Sequence, residues 1–317
     1  MKMSTVTTPQ SDKAYMNNTK VVNCLPICGA ISSNTSYQIE SLPKKGICVT
    51  ISFAFNVSLI GSGVKITAFD IDVMDSVYTL QLAGADCFTP EMVARVMSGK
   101  MDKDVTPETA ACISQSLNKL SLIKISIDCT KEFQKRKLLV KGQQARYSTY
   151  LLPLECIQVI SANHKAVMEG YHLIRKPAIF EYAEQIHQII SFPLTVLQSG
   201  KLSDTPEALL LKRALLRRIE CMKNNRNRYQ TRDICYERYD TGLHREKGLF
   251  AEIGLTKENF QTDSGSWWRK KRSSLHKKVL AILDGFQDVN YIKGYSITRD
   301  SNSRITGIHI QLYEDSS

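Results

Sequence analysis

Hydrophobic and polar positions alternate with two distinct periods along the chain. In residues 47–60, ICVTISFAFNVSLI, the odd positions Ile47, Val49, Ile51, Phe53, Phe55, Val57 and Leu59 are apolar and the even ones mostly small or polar. Period two predicts a half-buried strand, bent into a hairpin. Helical spacing takes over from Thr67. The segment TAFDIDVMDSVYTLQLAG starts on a capping Thr67 and stops at Gly84. FTPEMVARVMSG follows, with Thr89 as cap, Pro90 at the first helical position and Gly99 at the end. A third helix repeats the Thr-Pro start at Thr106 and Pro107, and Ile113, Leu117 and Leu120 line one face of it. The pattern then returns to period two in IKISID, residues 123–128. A basic loop (TKEFQKRKLLVKGQQAR) and a second strand, YSTYLLPL, come next.

The second half repeats this order. TPEALLLKRALLRRIECMK (205–223) predicts a helix with another Thr-Pro start, QTRDICYERY (230–239) a second, and residues 264–288 a third. YIKGYSITRDSNSRITGIHIQL (291–312) predicts a hairpin of two β-rich runs around a DSNS turn. Residues 151–204 hold strands and one short helix that join the halves. Three helices followed by a two-stranded ribbon is the winged-helix order, a variant of helix-turn-helix. The expected fold class is therefore α+β: two tandem winged-helix domains with an additional N-terminal strand or hairpin. The expected division is a disordered, polar tail over 1–40, a first domain over 41–160, a connecting segment over 161–204 and a second domain over 205–317.

Charge gives this architecture a direction. The 317 residues carry 42 Lys+Arg against 31 Asp+Glu, a formal net charge of +11. Excess cation favours polyanions, nucleic acid first and an anionic membrane second. Residues 201–317 hold 22 Lys+Arg and 15 Asp+Glu, so +7 of that excess lies in the second domain. No apolar run is long enough for a spanning helix, and the N-terminus has no apolar core of a secretory signal. Nine cysteines without framework spacing suit a reducing cytoplasm. The close pair Cys24 and Cys28 lacks the further ligands of a zinc site.

The most telling stretch is SGSWWRKKRSSLHKKVLAILDGF, residues 264–286, with no Asp or Glu between Ser264 and Leu283. At 3.6 residues per turn, Leu275, Val279, Ile282, Leu283 and Phe286 share one face. Lys270, Ser273, Ser274 and Lys277 fall opposite, with Lys271 and Lys278 on the flank. Small hydroxyls between lysines let a helix approach a duplex closely and hydrogen-bond to phosphates or bases. A solvated charged face is the plainer reading, and the missing acidic partners count against it. Of Trp267 and Trp268, one is expected to pack into the core and the other to lie along a sugar-phosphate backbone. Arg226, Arg228 and Arg232 are candidate phosphate contacts between the first two helices of the second domain, and Arg299 and Arg304 flank the hairpin turn as a wing would need. In the first domain Gln115 and Asn118 lie opposite the apolar stripe, with Lys119 beside them; such amides can pair with adenine or simply face water. Lys131, Lys135, Arg136 and Lys137 read either as a second wing tip or as an ordinary soluble loop.

Catalysis is not expected. The six histidines are scattered and form no His-hydrophobe-His pair. DIDV (70–73) has the D-x-D spacing of a metal site but lies at a helix start, where carboxylates favour the dipole. GSGVK (61–65) is too short for a phosphate-binding loop. No cofactor and no metal is expected.

The order of elements resembles the theta-type plasmid replication initiators of bacteria, the Rep family. The likeness is carried by ALLLKRALLRRIECMK, by KKRSSLHKKVLAILDGFQDVNYIKGYSI, and by FTPEMVARVMSG with IKISIDCTKE. It spans roughly residues 65–313 in organisation, through diffuse patterns rather than fixed signatures. The resemblance implies a sequence-specific initiator of a plasmid or an integrative mobile element that binds origin repeats in double-stranded DNA. It also implies a homodimer formed through the first domain and the host replicative helicase as a partner. A winged-helix transcriptional (auto)repressor fits the same residues. So does a scaffold whose winged helices bind proteins, which a weak, salt-insensitive DNA interaction would favour.

Overall fold

A computed structural model describes residues 11–26, 36–42, 47–52, 65–128, 130, 137, 139–140, 142–160, 166–198, 205–223, 232–237, 239–240, 245–246, 248–256 and 265–313. The chain divides into two units, Met1–Leu194 and Thr195–Ser317.

In the first unit, β1 (Lys13–Asn17) and α1 (Lys20–Cys24) precede the hairpin of β2 (Ser36–Leu42) and β3 (Ile47–Ser52). Helix α2 (Ala68–Leu82), the short β4 (Cys87–Phe88), α3 (Pro90–Ser98) and α4 (Pro107–Ser121) follow. Next come β5 (Lys124–Asp128), β6 (Arg146–Tyr150), β7 (Leu154–Ile160), β8 (Ala166–Leu173), α5 (Ala178–Gln185) and β9 (Ile189–Pro193). The three helix starts obey the capping logic of their sequences. The hydroxyls of Thr67, Thr89 and Thr106 accept from the backbone N–H three residues on, and Thr67 with Asp70 closes a capping box. Gly99 ends α3 with φ 67°, the left-handed conformation that a side chain would strain. Helices α2, α3 and α4 pack on one another around Ile71, Met74, Val77, Val93, Ile113, Leu117 and Leu120, all buried.

Two expectations for this unit change. Residues 11–26 are not a loose tail. β1 pairs antiparallel with β9, and Ala14, Met16, Val21, Val22 and Leu25 are buried. Asn17 fixes the junction: its backbone N–H donates to Asp75 Oδ1 at 3.0 Å, its Nδ2 to the Ile179 carbonyl at 3.0 Å, and its Oδ1 accepts from the Thr19 N–H and hydroxyl. Nor do β5 and β6 form a ribbon on their own. They are two strands of a four-stranded sheet ordered β2-β3-β5-β6, because the N-terminal hairpin pairs β3 onto β5. After β5 and β6, a second antiparallel pair, β7–β8, lies in a three-stranded sheet ordered β4-β8-β7. Of the expected strand 47–60, residues 53–60 lie outside the described residues.

A 3-10 turn over Leu194–Gln198 leads into the second unit. There α6 (Pro206–Lys223), β10 (Asp233–Cys235), the two-residue strands β11 (Tyr239–Asp240) and β12 (Arg245–Glu246), α7 (Leu249–Glu252), α8 (Gly265–Asp288), β13 (Gly294–Arg299) and β14 (Ile305–Gln311) follow in order. The segment expected as a second helix over 230–239 is instead strand β10. Ile234 and Tyr236 are buried two residues apart, and the Ile234 backbone pairs with Ile308 of β14. The intermediate helix is the short α7. The sheet order β10-β14-β13 matches β4-β8-β7 of the first unit, so both units contain the order helix, strand, helix, helix, hairpin, with that strand paired to the second strand of the hairpin. β5–β6 interrupt the order in the first unit and β11–β12 in the second.

Candidate nucleic-acid interface

Helix α8 is divided by burial as its wheel predicts. Leu275, Val279, Ile282, Leu283 and Phe286 are each 0% exposed, and the helix packs on α6 and β13. Lys270, Ser273, Ser274 and Lys277 are exposed. Trp267 and Trp268 are both half-buried.

The two flanks of that exposed row are occupied differently. On one side Lys271 and Lys278 both pair with Glu207, in the first turn of α6. Lys271 Nζ binds Oε1, and Lys278 Nζ lies 2.5 Å from Oε2. Burial pushes the Glu207 carboxyl up, but the two ammonium groups outweigh it and hold it below the ordinary glutamate value. On the other side, Arg272 donates through Nη2 to the Ile305 carbonyl at 2.6 Å and lies 3.4 Å from Glu237. His276 Nδ1 is 2.6 Å from the Tyr236 hydroxyl, and the Tyr236 ring stacks on Phe250 with centroids 4.8 Å apart. Burial lowers the His276 pKa, and the charges of Arg299 and Arg272 lower it further. Burial also raises the Tyr236 phenol.

The hairpin β13–β14 follows α8 directly. Arg299 and Arg304 are exposed at its turn; Arg299 Nη1 donates to the Ser303 carbonyl at 2.8 Å, and Asp300 Oδ1 accepts from the Arg304 and Asn302 N–H groups. Tyr295 donates to Asp284 Oδ1 at 2.6 Å, and its phenol is pushed up to about 12, mainly by burial and then by that carboxylate. Arg232 is exposed, and its carbonyl accepts from the Ile310 N–H, which places it beside β14. Arg226 and Arg228 lie outside the described residues.

The first unit offers less. Gln115 and Asn118 are exposed on α4, yet Asn118 Oδ1 accepts from the Tyr171 hydroxyl of β8 at 3.2 Å. Lys119 is committed elsewhere. Its Nζ lies 2.5 Å from Oδ2 of Asp70, a carboxylate only 1% exposed. Thr67 N–H and Thr67 Oγ1, each at 2.7 Å, share that oxygen, and Ser116 Oγ donates to Oδ1 at 2.7 Å. The carboxylate of DIDV thus caps α2 and ties it to α4. Of the loop cations, Lys137 is exposed with φ 57°, whereas Lys131, Lys135 and Arg136 lie outside the described residues.

Sequence reasoning missed Glu207 and the Tyr236–His276 pair. An acid two residues after Thr205 looks like a helix-start residue and nothing more. Its partners lie more than sixty residues further on. Among the described residues no group of three His, Cys, Asp or Glu could hold a metal ion, and no helix is long and apolar enough to cross a membrane.

No family model matches the chain, and no curated protein matches it. It is similar to two crystal structures of domains 2 and 3 of RctB. One is 11% identical with a TM-score of 0.49, covering 92% of this chain and 97% of that chain. The other, of selenomethionine derivatives, is 10% identical with a TM-score of 0.48, covering 93% and 96%. A likeness so distant assigns no role to any residue here.

Proposed function

We propose that the chain is a sequence-specific double-stranded DNA-binding protein that acts as a replication initiator of a plasmid or an integrative mobile element. In this reading each unit is a winged helix, with α4 and α8 as recognition helices and β7–β8 and β13–β14 as wings. The repeated order of elements and the repeated strand order support it. The observation that carries the proposal is the division of α8: an apolar face fully buried, and opposite it Lys270, Ser273, Ser274 and Lys277 exposed, next to a hairpin with Arg299 and Arg304 at its tip. Such a surface supplies cations to two phosphate rows with small hydroxyls between them, as a major-groove helix requires. Origin repeats, dimerisation through the first unit and recruitment of a host helicase belong to the proposal through the resemblance to plasmid initiators. The role is binding rather than catalysis, in keeping with an Asp70 carboxylate already filled by four donors.

Replacing Lys270 and Lys277 together with Ala tests the interface. Duplex affinity falls by about tenfold or more, because two phosphate contacts are lost. The thermal midpoint stays within about 2 °C, because exposed substitutions rarely cost more than a few tenths of a kcal/mol. Unchanged affinity would remove α8 from the interface. Supplying the chain in trans to a plasmid that carries its flanking DNA then separates initiator from (auto)repressor: only an initiator sustains replication.

A further inference from the structure

One acid on α6 holds two lysines of α8. Glu207 binds Lys271 with one carboxylate oxygen and Lys278 with the other, and Lys278 Nζ also lies 3.4 Å from Thr205 Oγ1. The three side chains are 20%, 24% and 23% exposed for Lys271, Lys278 and Glu207, so the cluster lies at the surface with partial access to water. Lys271 and Lys278 are seven residues apart, two helical turns, and run along the edge of the row Lys270, Ser273, Ser274 and Lys277. A tie between α6 and α8 is the plainest purpose for the cluster. Partly exposed ion pairs contribute only modestly to stability, though, and both helices already bury apolar faces. A carboxylate presents two oxygens to two ammonium groups much as a phosphate does.

We propose that Glu207 is an internal stand-in for a DNA phosphate, which keeps Lys271 and Lys278 occupied on arbitrary DNA and yields them only when α8 is seated closely in its cognate groove. Glu207 is thereby a specificity-determining residue of the interface, an inference that rests on the DNA-binding reading above. On random sequence the exposed row touches the duplex loosely and no phosphate displaces the carboxylate. On the cognate site close docking brings phosphates to both lysines at once, and the exchange adds contacts that random DNA never gains.

The test is fluorescence anisotropy with a labelled random-sequence duplex over a series of NaCl concentrations. Wild type, Glu207→Gln, the Lys271→Ala/Lys278→Ala pair and the triple variant are compared. Glu207→Gln is expected to bind random duplex about tenfold more tightly at low salt. The slope of log K against log salt steepens by about 1 to 2 as the freed lysines each gain a phosphate. Adding the two alanines to Glu207→Gln abolishes the gain. In the wild-type background the same two alanines leave the random-duplex slope unchanged, because those lysines were not on the DNA. That arm needs no change at Glu207 and stands if Glu207→Gln does not fold. A folded Glu207→Gln with wild-type affinity and slope overturns the inference, as does a slope shallower by about 2 when the alanines are placed in wild type. Both outcomes leave the DNA-binding reading intact. Wild type that binds no duplex at any salt sinks both.

Discussion

At the scale of the residue, the lysines that look alike in the sequence do different work. Lys270 and Lys277 project from a helix whose other face is sealed, whereas Lys119 neutralises a carboxylate that the fold has buried. The distinction gives opposite expectations for the same substitution. Lys119→Ala leaves Asp70 inside the α2–α4 contact with its three hydroxyl and amide donors but without a counter-charge. The expected cost is about 2 kcal/mol, below the range for breaking a fully buried pair because Lys119 is partly exposed. Urea denaturation measures it as a lower midpoint at unchanged slope. Duplex affinity, measured where the variant is folded, stays at the wild-type value. A loss of affinity without a loss of stability would return Lys119 to the interface. His276 marks the same contrast. Burial and two arginines keep it neutral at pH 7, so it offers the face hydrogen bonding rather than charge.

Elements were legible in the sequence where their own residues determine them. Thr67 with Asp70, Thr89 with Pro90 and Thr106 with Pro107 each set a helix start through local bonds, and Leu275 to Phe286 carry a period that only one buried face satisfies. Elements were hidden where a distant partner determines them. β10 is three residues long, too short to show a period, and it exists because β14 lies about seventy residues further on. β1 and α1 disappear into a polar composition because Asn17 and Thr19, polar by type, are buried and hydrogen-bonded, which no composition average reveals. The ribbon expected over 123–154 is present as β5–β6, but a distant partner, β3, pairs onto β5 and makes it half of a four-stranded sheet. Half of the candidate site was legible in this sense: the exposed row of α8 follows from its own wheel, while the hold of Glu207 on Lys271 and Lys278 requires knowing what packs beside it. The dependence of β10 on β14 is open to a direct check. A Cβ at Gly307 would lie 2.3 Å from the Ile234 carbonyl oxygen and 3.0 Å from Cys235 Cα, both backbone atoms that cannot swing aside. Gly307→Ala therefore has to separate the two strands, at an expected cost of about 2 kcal/mol or more. Hydrogen exchange should show protection lost first at the Tyr236 N–H and the Ile310 N–H, which donate across this contact to Thr306 and Arg232. Protection unchanged at both would mean that β10 is held by something other than β14.

At the scale of the whole molecule, charge is distributed as the proposed division of labour requires. The +7 carried by residues 201–317 belongs to the unit whose helix has an exposed cationic row. Pairing with Glu207, Glu237 and Glu252 takes Lys271, Lys278, Arg272, Arg217 and Arg218 out of the count of cations facing solvent alone. Among the described residues, Arg232, Arg269, Lys270, Lys277, Lys293, Arg299 and Arg304 are the exposed cations of the second unit. If these neutralise about six phosphates, counterion release makes log K fall against log salt with a slope of about −5. Lys270→Ala with Lys277→Ala makes that slope shallower by about 2. Gln115→Ala in the first unit leaves it unchanged, since an amide releases no counterion, and shows itself only as altered preference among sequences if α4 reads bases. The slopes thus weigh the units separately without any assumption about their arrangement. A wild-type slope near zero would mean that the basic surface meets something other than a polyanion, and the protein-binding scaffold would become the better account of the same fold.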